Sequence, residues 1–412
     1  SSCGGYHRRE VDGLSVCRGI LINHRMLAGL RSTWLEISLD ALQHNLGIIR
    51  GRVPSSSNVC AVIKANGYGH GAANLALQME KYMGIRTVAV ATTMEAAALR
   101  QAGVQSDIFL LGSASSGDVP SILEHRLITS LCNMEVAREL SRQAVGSKQV
   151  ARVHLKIDTG MGRIGFRPEE VRGVVQKLQD ANEFPGVQLE GLYTHFADSF
   201  DDLEITRAQI QAFQNCTAPY TGKLLLHCCN SGGILRNEHF PGTPLEWVRP
   251  GIILYGLTPT VSPAEFAWHG LKPILSWKAR PTFVKRVRPG ERIGYSGSFT
   301  VSYPMTIATF GLGYADGFNR ALSNKGHIRA PNGMLCPIVG RVSMDQITAA
   351  VPDGTGYQDV FDIVTADYSL STSLCGRAIQ LDTLAYETAT SLGTRLPRVY
   401  TREGTIEAVE GH

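Results

Sequence analysis

Ala61-Val62-Ile63-Lys64-Ala65-Asn66-Gly67-Tyr68-Gly69-His70-Gly71 orders the reading of everything around it. Residues 59–63 are an unbroken apolar run, and a run without polar alternation belongs to a strand buried on both faces. The run stops at Lys64. Gly67, Gly69 and Gly71 then turn the chain and display Tyr68 and His70 between them. A lysine at the mouth of a buried strand is partly desolvated, which lowers its pKa and frees the amine for Schiff-base chemistry. Alone, such a lysine reads better as a surface residue after a strand, so the pattern downstream decides.

That pattern repeats. Short apolar runs at 58–64, 87–91, 107–111, 127–131, 152–157, 189–194, 223–227 and 247–255 are each followed by a helix-like segment. Eight buried strands alternating with helices predict a closed parallel (β/α)₈ barrel. The rival, an open doubly wound sheet, lacks a G-x-G-x-x-G after the first strand. Before the barrel, Asp40 is placed to cap a helix whose apolar face is Leu42, Leu46 and Ile49.

Past about residue 270 the texture changes to strands and turns. Arg288-Pro289-Gly290-Glu291 and Pro331-Asn332-Gly333 are turn signals, and 307–310 and 338–342 read as strands. A single helix is expected at about 381–392, and 365–376 reads as a surface loop. The division is therefore an N-terminal extension at 1–31, a barrel at 32–270 and a β-rich domain at 271–412. The extension carries arginines but no lysine and no sustained period, and is expected to be a flexible arm.

Bulk properties exclude several classes. The chain has 412 residues, 43% hydrophobic and 18% charged, with a net charge of +4. Those values belong to an ordinary globular protein, and the dispersed basic residues suggest neither a nucleic-acid groove nor a membrane-binding stripe. Nine cysteines, an odd number without C-x-x-C spacing, favour buried thiols and a cytoplasmic setting over a disulfide framework. His227-Cys228-Cys229 is not read as a metal site, because adjacent strand residues point to opposite faces.

In a barrel of this kind the C-terminal strand ends form the active site. Those ends carry Lys64, then Lys156 with Asp158 and Arg163, then His195, Asn230 with Ser231, and Arg249 with Gly251 and Ile252. Two lysines, two arginines and a histidine with little compensating acid suit a ligand bearing a phosphate and a carboxylate. Asn230-Ser231-Gly232-Gly233 and the close approach permitted at Gly251 offer the phosphate a seat. A phosphate-bearing aldehyde that condenses with a lysine is pyridoxal 5′-phosphate.

From Thr33 to Arg402 the sequence resembles the alanine racemase family. The resemblance rests on AVIKANGYGHG (61–71), HLKIDTGMGRIGF (154–166), GLYTHFADSFD (191–201), HCCNSGG (227–233) and VRPGIILYGL (248–257). In the second domain it rests on RIGYSGSF (292–299), GLGYADG (311–317) and VGRVSMDQ (339–346). It implies a barrel followed by a β-rich domain that also takes in the strand near residues 32–38. It implies that Lys64 carries the cofactor and acts as one acid/base group. Tyr295, from a partner subunit, is implied as the other, on the opposite face of the substrate.

Further roles follow from the same resemblance. His195 would support Tyr295, and Arg249 would face the pyridine nitrogen. Arg163 and Met344 of a partner would bind the substrate carboxylate. Tyr68, Asn230, Ser231, Gly251 and Ile252 would hold the phosphate, and Tyr314 and Asp345 would line the entry. Lys156 stands where many relatives carry a carbamylated lysine. A head-to-tail homodimer and a role in supplying D-alanine for peptidoglycan are implied as well. Thr394 stands where a pocket tyrosine is expected, which keeps a serine or broader racemase open; a non-catalytic pyridoxal-phosphate-binding protein is the reading from another class.

Overall fold

The computed structural model describes residues 14–17, 20–23, 30–260 and 269–411. The expected flexible arm at 1–31 falls largely outside them. Within it, Leu14–Cys17 and Ile20–Asn23 pair antiparallel. The chain forms two compact units. One comprises Leu42–Pro273 with Leu384–Thr390; the other holds the described residues up to Ala41, Ile274–Thr383 and those from Ser391 onward.

The first unit is a barrel of eight strands: β1 (Asn58–Val62), β2 (Thr87–Val90), β3 (Asp107–Leu110), β4 (Ile128–Leu131), β5 (Ala151–Lys156), β6 (Val187–Tyr193), β7 (Leu225–His227) and β8 (Trp247–Val248). Each of β1 to β6 pairs in parallel with the next, and β8 returns to pair with β1, Trp247 opposite Asn58 and Val248 opposite Val59. Between β7 and β8 the ring is joined by the Arg249 N–H to Cys229 O bond at 2.9 Å and by an isolated bridge between His227 and Leu245. β2 and β4 are buried at every position, which is why their sequences show no alternation.

Local chemistry starts the helices. Thr92 accepts from the Glu95 N–H while Glu95 returns a bond to the Thr92 N–H, and Asn133 and Asp202 cap theirs with a side-chain oxygen. In the helix Leu39–Gly51, Leu42, Leu46 and Ile49 are buried. Its cap differs from expectation. Ser38 Oγ accepts the Ala41 N–H at 3.1 Å, while Asp40 accepts the Glu403 N–H at 2.8 Å.

In the second unit a seven-stranded sheet runs Leu335–Pro337, His327–Arg329, Phe361–Val364, Leu275–Ala279, Thr33–Ser38, Arg398–Arg402, Thr405–Glu410. Thr33–Ser38 is therefore interior, antiparallel to Leu275–Ala279 and parallel to Arg398–Arg402. Arg31, just before it, pairs with the buried Asp316 at 2.7 Å. A three-stranded sheet of Pro281–Val287, Met305–Phe310 and Ile347–Val351 packs Val287, Met305 and Ile307 with Ile293, Val301 and Val339. The single helix expected at 381–392 is instead two, Leu374–Gln380 and Ala385–Thr390. Ser373 caps the first inside the segment read as a loop, and Thr372, Ser373 and Leu374 are buried. Among the described residues no helix is long and apolar enough to cross a membrane.

Candidate active site

Lys64 leaves β1 into a turn of unusual hand. Ala65, Asn66, Gly67 and Tyr68 have φ of 52°, 53°, 61° and 51°, four consecutive left-handed residues of which only one is glycine. For the other three this conformation costs about 1–2 kcal/mol each. Fixed bonds hold it: the Ala65 N–H donates to Glu95 Oε1 at 2.7 Å, and Asn66 Oδ1 accepts the Ala72 N–H at 3.0 Å. The turn presents Lys64 and Tyr68 to one pocket. The Lys64 amine makes no ion pair or hydrogen bond among the described residues. Burial and then the Arg163 charge lower its pKa, with Glu95 opposing.

The pocket closes over a cradle of backbone donors. Gly251 N–H donates to Ser231 Oγ at 2.9 Å, and Asn230 Oδ1 accepts the Gly233 N–H at 3.0 Å. The N–H groups of Ser231, Gly232 and Ile252 are buried and have no acceptor among the described residues. Buried donors left open in this way are costly unless a ligand satisfies them. Tyr68 completes the wall; its ring stacks on Tyr255 at 4.8 Å, and burial raises its pKa. A Cβ at position 251 would lie 2.5 Å from Tyr68 Oη, so the approach of the two segments requires glycine.

Across the barrel, Arg249 is buried. Its Nη2 donates to Thr194 O at 2.8 Å and Cys228 O at 3.1 Å, and its Nη1 to His227 Nδ1 at 2.5 Å. No carboxylate touches it among the described residues. His195 lines the pocket and is held well below the usual histidine pKa by burial, then by Arg249, Lys156, Arg163 and Lys64. Lys156 is buried beneath the site, donating to Ile157 O at 3.1 Å, with its pKa pushed down to about 8 by burial and the Arg249 charge. Arg163 is exposed; its charge bears on Lys64, Lys156 and His195 without a hydrogen bond to any of them among the described residues.

Lys64, Tyr68, His195, Asn230, Ser231, Arg249, Gly251 and Ile252 thus line one pocket. Tyr295, Tyr314, Met344 and Asp345 belong to the other unit. Tyr295 is 72% exposed, Met344 52% and Tyr314 42%. Tyr314 and Met344 are neighbours, through Tyr314 N–H to Ser343 O and Ala315 N–H to Met344 O. Asp345 pairs with Arg395 at 2.6 Å.

Two features escaped the sequence. Tyr386, on the helix Ala385–Thr390, lines the pocket with its ring 6.1 Å from that of Tyr68, and burial raises its pKa to about 12. Thr394 is exposed and is not among the residues that line the pocket, to which Tyr386 contributes a phenol. The only sequence signal was an aromatic in a short helical segment of a β-rich region. The second feature is His227, which faces into the barrel against Arg249.

The fold and pocket define a class: a barrel enzyme with an unpaired, pKa-lowered lysine amine facing an anion cradle, joined to a β-rich domain. The chain belongs to the alanine racemase family. The alanine racemase N-terminal domain family matches residues 37–259 and the C-terminal domain family 274–400. An alanine racemase of Desulforamulus reducens is 39% identical over 374 residues, covering 89% of this chain and 98% of that protein. Among solved structures, alanine racemase of Bacillus anthracis with bound L-Ala-P superposes with a TM-score of 0.84 at 31% identity, covering 92% of this chain and 98% of that one. That of E. faecalis gives 0.81 at 34%, covering 90% and 98%.

Proposed function

We propose that this chain interconverts L- and D-alanine with pyridoxal 5′-phosphate carried on Lys64, and that a second copy of the chain supplies Tyr295. One observation carries the reading: an unpaired Lys64 amine with lowered pKa shares its pocket with the open N–H groups of Ser231, Gly232 and Ile252. Those residues fit the cofactor, the amine its aldehyde and the cradle its phosphate. When bound, the cofactor supplies an electron sink for the bond broken at the substrate α-carbon.

The rest is the work of side chains. Lys64 Nζ moves a proton on one face of the α-carbon and Tyr295 Oη on the other. Burial and the Arg163 charge favour the neutral form of Lys64 that a base requires. Arg249 only donates, so a ring nitrogen set against it stays an unprotonated acceptor. Arg163 and Met344 hold the substrate carboxylate. Lys156, with a pKa near 8, is partly neutral at physiological pH and can take up carbon dioxide as a carbamate. That anion would neutralise the cationic surplus around Arg163. The exposed Tyr295, Tyr314 and Met344 suit a face covered by a head-to-tail partner.

The test is to incubate the purified, cofactor-loaded chain with equimolar L-alanine and L-serine and follow both D-products by chiral chromatography. D-alanine appearing well ahead of D-serine is expected. Borohydride reduction followed by peptide mapping should fix the cofactor at Lys64, and label elsewhere would overturn that assignment. Comparable D-serine would favour the serine or broader racemase.

A further inference from the structure

Among the described residues the buried Arg249 has no carboxylate in contact, yet its outer bond leads into a column of side chains through the barrel. His227 Nδ1 takes the Arg249 Nη1 donor at 2.5 Å, and His227 Nε2 lies 2.9 Å from His154 Nδ1. His154 Nε2 in turn faces Glu190 Oε2 at 3.9 Å. Glu190 is held by Arg152, Nε to Oε1 at 2.8 Å, and Arg152 grips Asp107 with bonds of 2.8 and 3.2 Å.

Hydrogen-bond logic gives the column one direction. A guanidinium can only donate, so His227 Nδ1 must offer its lone pair. His227 then carries its hydrogen on Nε2 and donates to His154 Nδ1, which leaves the His154 hydrogen on Nε2, toward Glu190. Both imidazoles are neutral, in keeping with their lowered pKa values, which burial and neighbouring cations cause.

The surroundings are built for this column. The ladder between β5 and β6 shifts register between Val153 and His154, a device that re-aims a side chain. A Cβ on Gly191 would lie 3.1 Å from His154 Nδ1, so glycine there leaves room for the ring. Tyr193 stacks on His227 at 4.8 Å and 4°, while Phe109 and Trp247 flank both imidazoles at 5.0–5.8 Å. In so dry an enclosure hydrogen bonds polarise one another strongly.

We infer that Glu190, acting through His154 and His227, is the remote counter-charge that polarises and orients Arg249, which makes these three residues positioning residues for the reaction. The inference rests on the function proposed above for what Arg249 does, but its geometry can be tested without it. Glu190→Gln keeps an oxygen for Arg152 and removes only the charge.

Long-range ¹H–¹⁵N spectra of the imidazoles in the loaded holoenzyme at neutral pH should show His227 and His154 both neutral with hydrogen on Nε2. In Glu190→Gln the His227 Nδ1 and His154 Nε2 resonances should move, and kcat for alanine should fall roughly threefold to tenfold with KM within about twofold. Glu139→Gln, on a surface helix, should move neither. A protonated or Nδ1–H His227 in the wild-type protein would overturn the inference. So would a Glu190→Gln protein with unmoved resonances and full kcat. Absence of racemisation with the tautomers as stated would leave the column standing and count against the proposed function alone.

Discussion

Substitution of Gly251 by alanine offers the sharpest test of the cradle. The added Cβ would lie 2.5 Å from Tyr68 Oη and 3.2 Å from its Cζ, nearly an ångström inside ordinary contact. Tyr68 has little freedom to yield. It is 6% exposed, its ring is stacked on Tyr255, and its backbone ends a left-handed turn. Tyr255 is itself anchored by a bond to Val62 O at 2.9 Å. Overpacking of this kind costs about 1–3 kcal/mol. If Tyr68 tilts out of the cradle to relieve it, the cost falls on cofactor binding and weakens Kd by roughly 5- to 150-fold. The assay is a cofactor titration of the apoprotein followed by absorbance, with thermal melts of the same samples. Gly251→Ala with unchanged affinity and unchanged melting would refute the claim that Tyr68 and Gly251 form one rigid wall.

Other outcomes follow from the same structure. Lys156 has its folded pKa lowered from 10.5 to about 8, so burial penalises its charged form. The unfolded chain binds more protons between those values, so stability should rise as pH increases from about 8 to 10.5, by about 3 kcal/mol in bicarbonate-free buffer. Lys156→Met should flatten that rise in urea melts. Tyr295→Phe should lower racemisation by about a thousandfold while leaving cofactor affinity within about twofold. In deuterium oxide, α-hydrogen exchange by mass spectrometry should then persist for one enantiomer of alanine only. Tyr386→Ala should enlarge the pocket beside Tyr68 and raise serine turnover relative to alanine by about tenfold, read by chiral chromatography. Gly173→Ala, at an open position in the helix Val171–Gln179, should stabilise the protein by about 0.5–1 kcal/mol and leave activity unchanged.

The barrel was legible because each strand buries both faces, which leaves apolar runs such as Val59 to Val62 that helices and edge strands rarely show. Lys64, Ser231, Arg249 and Gly251 were legible because strand ends in such a barrel converge. Less could be read where a residue acts through another segment. His227 sits beside two cysteines in a run that suggests only burial, and its bonds to Arg249 and His154 join three strands far apart in sequence. Tyr386 lies in a short helix of a β-rich region, where nothing local points to a barrel pocket. The expected cap Asp40 lost to Ser38 because Asp40 is engaged by the Glu403 N–H, a partner more than 360 positions away. Tyr295 is an exposed residue at a turn, and its proposed role comes from the family resemblance alone.

The placement of Leu384–Thr390 with the barrel has a consequence for biogenesis. All eight strands have left the ribosome long before Tyr386 is made, yet the pocket lacks one wall until that residue arrives. At common elongation rates the interval is on the order of ten seconds. A nascent barrel can therefore close its sheet early but should capture its cofactor late, and a chain cut after Pro273 would keep every strand while losing the ring that faces Tyr68. The two units are thus not separable modules, and shuffling the barrel without its distant C-terminal segment should yield a scaffold with a breached pocket.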